Sequence, residues 1–183
     1  MKIMNKRIAF TFLLAIAVST VGLAQKQQVD PAVPGFGAID PMPESVYRPD
    51  PSLEYKIVVD VVAGGEADER NSALWNLARM LNLHVEAGVP QENLHVVAVI
   101  HGGATATVLN NEAYQAAKGT DNPNLEMMQA LHDAGVQFYV CGQSLNRQNW
   151  PHESVQDIVT VAFSALTTLT EHQLKGYALL TFR

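Results

Sequence analysis

Cysteine is nearly absent from this chain: among 183 residues, Cys141 is the only one. A single thiol closes no internal disulfide, so the fold must be held by packing alone. With no second cysteine there is no C-x-x-C pair, which excludes a thioredoxin-type dithiol exchange. Other signatures are missing too. The glycines near 64 and 102 fit neither G-x-G-x-x-G nor G-x-x-x-x-G-K-[ST], so nothing points to a dinucleotide or nucleotide phosphate. No G-x-S-x-G elbow is present, which removes Ser144 as a hydrolase nucleophile. The histidines at 84, 95, 101, 132, 152 and 172 contain no H-E-x-x-H. Cys141, His101 and His152 can be imagined as a metal set, but no spacing supports it, and neither a metal nor a cofactor is expected.

Positive charge is also scarce. Twelve Lys and Arg face eighteen Asp and Glu, a formal net charge of −6. A chain of this balance lacks the basic patch that would neutralise nucleic-acid phosphates or anionic lipid. Three of its bases, Lys2, Lys6 and Arg7, precede an apolar stretch from Ile8 to Val18. Small residues, Gly22 and Ala24, then stand before Gln25. This is the pattern of a secretory signal peptide over residues 1–24, predicting a periplasmic or secreted protein with no membrane anchor after cleavage. An uncleaved anchor is the alternative, but the apolar run falls a little short of the ~20 residues of a span. Removing the three bases takes the formal charge from −6 to −9.

Proline is concentrated where regular structure is not expected. Six of the nine prolines lie between Asp30 and Pro51. Fixed φ and missing donors make residues 25–53 an extended arm or linker. Phe36, Ile39, Met42 and Tyr47 give it apolar surface to bury, either as a tether or as an arm on a neighbouring subunit.

From Tyr55 the pattern changes. Tyr55–Val62, Leu94–Ile100, Val136–Cys141, Ile158–Val161 and Tyr177–Phe182 are apolar on consecutive residues and read as buried strands. Between them, Leu74, Leu77, Ala78, Leu81 and Val85 keep helical spacing after Asn71 or Ser72. Ala104–Lys118 reads as one helix, and Asn122 with Pro123 as the cap and first residue of the next, which ends at Gly135. A shorter helix is predicted from about Ser164 to Leu174. Strands alternating with helices indicate a doubly wound α/β domain over residues 54–183, its mainly parallel five-stranded sheet covered on both faces.

The strands of a parallel sheet end on one edge, where α/β proteins place their ligands. Gly64 and Gly65, His101-Gly102-Gly103, and Cys141-Gly142-Gln143-Ser144 all belong to that rim. Cys141 is the candidate for chemistry, because a thiol near free backbone N–H groups and a cation, such as Arg147 or His101, ionises readily. A small hydrophobe packed at a strand end fits the same position, and both readings stand at this point. His101 likewise suits an acid/base partner or a loop hydrogen-bonder.

The segments VVAVIHGGA (96–104), VCGQSL (140–145) and VAFSALTTLTEHQLKGYALLTF (161–182) resemble, in order, the DsrE/DsrF-like (YchN-like) family, over about residues 55–183. The resemblance implies a three-layer α/β/α fold and assembly as a homo-oligomer, a trimer or hexamer. It also implies a sulfur carrier or sulfurtransferase-like role, with Cys141 at the position that accepts sulfur as a persulfide from a donor protein or passes it to an acceptor. His101-Gly102 matches the family's strand-two turn, and Gln143 would be a polar neighbour of the sulfur. The alternative is a non-catalytic oligomeric module that binds a small ligand or metal, with a structural cysteine.

Overall fold

The computed structural model describes residues 27–182; the predicted signal peptide lies outside the described residues. Five strands form one sheet: β1 (Tyr55–Val61), β2 (Leu94–Ile100), β3 (Gln137–Cys141), β4 (Val159–Ala162) and β5 (Ala178–Phe182). Their order is β4-β3-β2-β1-β5, and every neighbouring pair is parallel. The helices are α1 (Ser72–Glu86), α2 (Asn111–Lys118), α3 (Leu125–Asp133), α4 (Gly142–Gln148) and α5 (Ala165–Leu174).

Strand order decides which face each helix covers. From β1 to β4 the chain steps steadily in one direction, so right-handed crossovers place the intervening helices on one face. The return from β4 to β5 runs the other way and delivers α5 to the opposite face. The core divides accordingly. Ile57, Val59, Val61, Val96, Ala98, Ile100, Phe138 and Val140 pack under α1, α3 and α4. Val58, Val97, Val99 and Cys141 pack under Ala165 and Leu169 of α5. Both faces are covered, as the apolar runs require, but very unequally. The α5 face leaves Phe163, Leu166, Leu174 and Leu179 exposed.

The crowded face carries a further layer. Residues 29–39 double back through an antiparallel bridge between Val29 and Ile39 and lie on α1 of their own chain. Fully buried Asn82 organises the contact: its Oδ1 accepts from the Ala32 and Val33 N–H groups, both at 2.9 Å, and its Nδ2 donates to the Phe36 and Gly37 carbonyls at 2.9 and 3.0 Å. All four side-chain bonds of this amide go to the arm, so a polar residue sits inside the helix layer without a desolvation penalty. Gly37, at φ +63°, comes so close to α1 that a Cβ would meet the Ala78 carbonyl carbon at 2.6 Å.

Two local predictions need correction. The segment predicted as one helix over Ala104–Lys118 is a 3-10 helix, Gly102–Val108, followed by α2. Asn110 breaks it by capping α2, its Oδ1 accepting from Ala113 N at 2.9 Å. Asn122 does not cap α3. It is a buried bracket that donates to the Thr107 and Leu109 carbonyls and accepts from Asn124, whose own Oδ1 receives the Asn71 N–H at 2.7 Å. Of the two candidate starts for α1, Asn71 is the cap, accepting from the Ala73 and Leu74 N–H groups.

Candidate functional site

The strand ends bring the sequence-predicted residues to one rim in two groups. On the β1 side, Gly64 and Gly103 stand back to back. A Cβ on Gly64 would lie 2.6 Å from the Gly103 carbonyl, so only glycines let these loops cross. Gly65 lines a small cavity of about 20 Å³ with Gly103, Tyr114, Lys118 and Asn124. Gly102, at φ +57°, makes the turn from β2 into the 3-10 helix.

The second group surrounds the thiol. Cys141 is the last residue of β3 and the N-cap residue of α4, so the chain passes from strand to helix at the sulfur itself. Gly142 is required there because a Cβ would approach the Ala162 carbonyl to 2.8 Å, where β4 ends against α4. Cys141 is 5% exposed. Burial pushes its pKa up, but the Ala165 N–H, the Ser144 hydroxyl and the N–H groups of Ser144 and Gln143 outweigh this, and the thiol is held below its ordinary value. These donors come from the first turns of α4 and α5, where backbone N–H groups lack intrahelical acceptors and stabilise an anion. Neither first turn carries an acidic residue to oppose that effect.

Ser144 ties the two strand ends together, since its Oγ also accepts the Gly102 N–H at 3.3 Å. Gln143 is exposed and donates through Nε2 to the Phe163 carbonyl at 3.3 Å. His101 extends the β2 ladder by one residue, its N–H bonded to the Val61 carbonyl at 3.0 Å. Its half-buried ring places Nε2 2.7 Å from Asp60 Oδ1 on β1.

Two participants escaped the sequence reading. Asp60 is a lone carboxylate inside the apolar run YKIVVDVV, and that interruption was the available signal. Ala165 takes part only through its backbone N–H, which no side-chain pattern announces. The larger cavities lie elsewhere. One of about 740 Å³ is lined by Asp68, Arg70, Trp75, Asp121 and Glu126, and one of about 340 Å³ lies between the arm and α1. Neither contains a predicted site residue. Among the described residues, no group of three or more His, Cys, Asp or Glu side chains is gathered as a metal site requires. None of the described helices is long and apolar enough to cross a membrane.

Comparison with known proteins agrees with this architecture. The family model described as "DsrE/DsrF-like family" matches residues 56–182. A solved structure of a protein of unknown function from Methanobacterium thermoautotrophicum superposes with a TM-score of 0.52 at 16% identity, covering 70% of this chain and 99% of its own. The crystal structure of the ychN protein from E. coli gives 0.49 at 19% identity, covering 69% and 99%. No curated protein matches the chain.

Proposed function

The chain belongs to the DsrE/DsrF-like family, and from that premise we propose that it is a sulfur carrier, or a sulfurtransferase-like protein, working through Cys141. The observation that carries this reading is the set of donors around the sulfur. Backbone N–H groups at the starts of α4 and α5, with the Ser144 hydroxyl, lower the Cys141 pKa against its burial, which favours the thiolate. In the reaction, the Cys141 thiolate attacks the outer, sulfane sulfur of a persulfide donor. A new S–S bond forms at Cys141, the donor's S–S bond breaks, and the donor leaves as a thiolate. Transfer to an acceptor thiol repeats the exchange in the opposite direction, so no net oxidant or reductant is consumed.

The test is intact mass after incubation with a small-molecule persulfide or inorganic polysulfide, without reducing agent. The expected result is a gain of one sulfur that is absent in Cys141→Ser. No adduct on either protein removes the proposal.

The low exposure of Cys141 favours a second reading, a binding module with a structural cysteine. Labelling discriminates between the two: a thiol reagent that modifies Cys141 only after unfolding supports the structural role.

The same proposal includes a homo-oligomer, a trimer or hexamer, acting with a donor or acceptor protein in the periplasm or outside the cell. Its support is the thinly covered sheet face, where Phe163 is 80% and Leu166 75% exposed beside the site. Apolar surface of this kind is covered by association. A solution-scattering mass equal to one subunit argues against the oligomer. Export rests on residues 1–24, and the N-terminal sequence of the protein recovered from its cells checks it.

A further inference from the structure

Thiol–persulfide exchange moves a proton as well as a sulfur. Cys141 must lose its proton to attack, and the departing donor thiolate must gain one. The rim holds one group suited to both steps, and strand register identifies it. Ile100 and Val140 are partners across β2 and β3, so His101 and Cys141 are the next pair along the same two strands. Neighbouring strands lie about 4.8 Å apart, and side chains alternate between faces. Cys141 shares the α5 face with Val97 and Val99, and His101, two residues beyond Val99 in extended backbone at φ −158°, faces the same way. Asp60 is the register partner of Val99 and lies on that face too. Asp60, His101 and Cys141 therefore form a diagonal row across three adjacent strands, with Asp60 two residues behind the level His101–Cys141 pair.

The hydrogen bond within the row decides which imidazole nitrogen is available. An ionised carboxylate can only accept, so the Asp60 Oδ1 contact at 2.7 Å requires the hydrogen on His101 Nε2. The nitrogen left with a free lone pair is then Nδ1, which makes no hydrogen bond to the described residues. Carboxylates fix imidazole tautomers in this way wherever a histidine must present one chosen nitrogen.

We propose that Asp60 is a positioning residue that holds His101 with Nδ1 free, and that His101 takes the Cys141 proton and delivers it to the departing thiolate. This rests on the sulfur-exchange reading. Written in full, Cys141–SH and R–S–SH become Cys141–S–SH and R–SH; His101 is protonated in the first half and returns to neutral in the second. The charged and titratable groups around His101 are few. Asp60 faces it from β1 and Cys141 from β3, beside Asp60 on β5 stands uncharged Thr181, and α4 contributes only exposed Arg147 in its last turn. The first turn of α5 is uncharged, its second brings Glu171 and buried His172, and His172 packs against Tyr139 of β3 and Tyr177 on this same face.

The test compares wild type, Asp60→Asn, Asp60→Glu and His101→Gln for sulfur uptake from a small-molecule persulfide as a function of pH. Ring ¹⁵N shifts of His101 are recorded alongside. The expected results are a drop of tenfold or more in Asp60→Asn and His101→Gln, loss of the histidine limb of the pH profile in both, and return of that limb in Asp60→Glu. Rates and profiles within twofold of wild type in Asp60→Asn overturn the proposal. If the wild type takes up no sulfur, the sulfur-exchange reading fails by itself. The positioning role is then judged from the pH profile of Cys141 alkylation, where loss of the same limb in Asp60→Asn supports it and an unchanged profile overturns it. Should Asp60→Asn fail to fold, the ¹⁵N spectrum of the unaltered protein decides. A neutral His101 protonated on Nε2 supports the assignment, and one protonated on Nδ1 contradicts it.

Discussion

One face of the sheet is covered by helices and then by an arm; the other is covered by a single ten-residue helix. The first face buries Leu74, Leu77, Leu81, Met127, Met128 and Leu131 completely and adds a fully bonded asparagine beneath the arm. The second carries Asp60, His101 and Cys141, and its surroundings leave leucines and a phenylalanine in solvent. The difference separates two tasks in one sheet. Cohesion sits where layers are thick, and the residues of the proposed sulfur chemistry sit where covering is thin. The split follows from strand order, because four strands laid down in one direction leave only the last crossover to cover the far face.

Substitutions on each face should therefore have opposite signatures. The largest stability loss is expected from Leu77→Ala on the thick face, about 2–5 kcal/mol for a fully buried leucine, read by chemical denaturation. Asn82→Ala comes next. It strands two N–H and two carbonyl groups of the arm, at about 2–3 kcal/mol, limited by the cost of releasing the arm altogether. Limited proteolysis between residues 29 and 54 should accelerate in the same variant.

On the thin face, the Cys141 thiol gives a smaller effect of defined sign. Its pKa in the folded protein is lowered, so the folded state loses this proton more readily than the unfolded chain. Its stabilising contribution is full above the unfolded thiol's pKa and is lost as pH falls through the lower, folded value. The stability difference between wild type and Cys141→Ser should therefore grow as pH rises through that alkaline window; a difference that shrinks contradicts the donor set. The smallest effect is expected from Leu166→Ser, within about 0.5 kcal/mol for the subunit itself. The same change should weaken any self-association measured by scattering, because Leu166 is 75% exposed.

The thick face was the legible one. Runs of consecutive apolar residues located all five strands within two residues of their ends, and the 3.6-residue spacing of Leu74, Leu77 and Leu81 located α1. What escaped had no periodic signal. The α4 sequence, GQSLNRQ, has seven residues and buries only Leu145 among its larger side chains, so no repeat marks it. Asn122 followed by proline has the sequence of a helix cap, yet tertiary hydrogen bonds to Thr107 and Leu109 claim its side chain. At the site, Cys141 and His101 stood out because strand ends in a parallel sheet share an edge. Asp60 did not, because its significance depends on which strand becomes the neighbour of β2. The unequal covering of the sheet also depends on strand order, which residue patterns leave open.

Intact-mass analysis of the thiol on the thin face is the most direct test of the account. The purified protein is incubated with a persulfide donor, and its mass is compared with that of Cys141→Ser treated identically. The account predicts one added sulfur on the wild type, removed by a reducing thiol, and none on the variant. An unmodified wild type, or equal addition to both proteins, would contradict it.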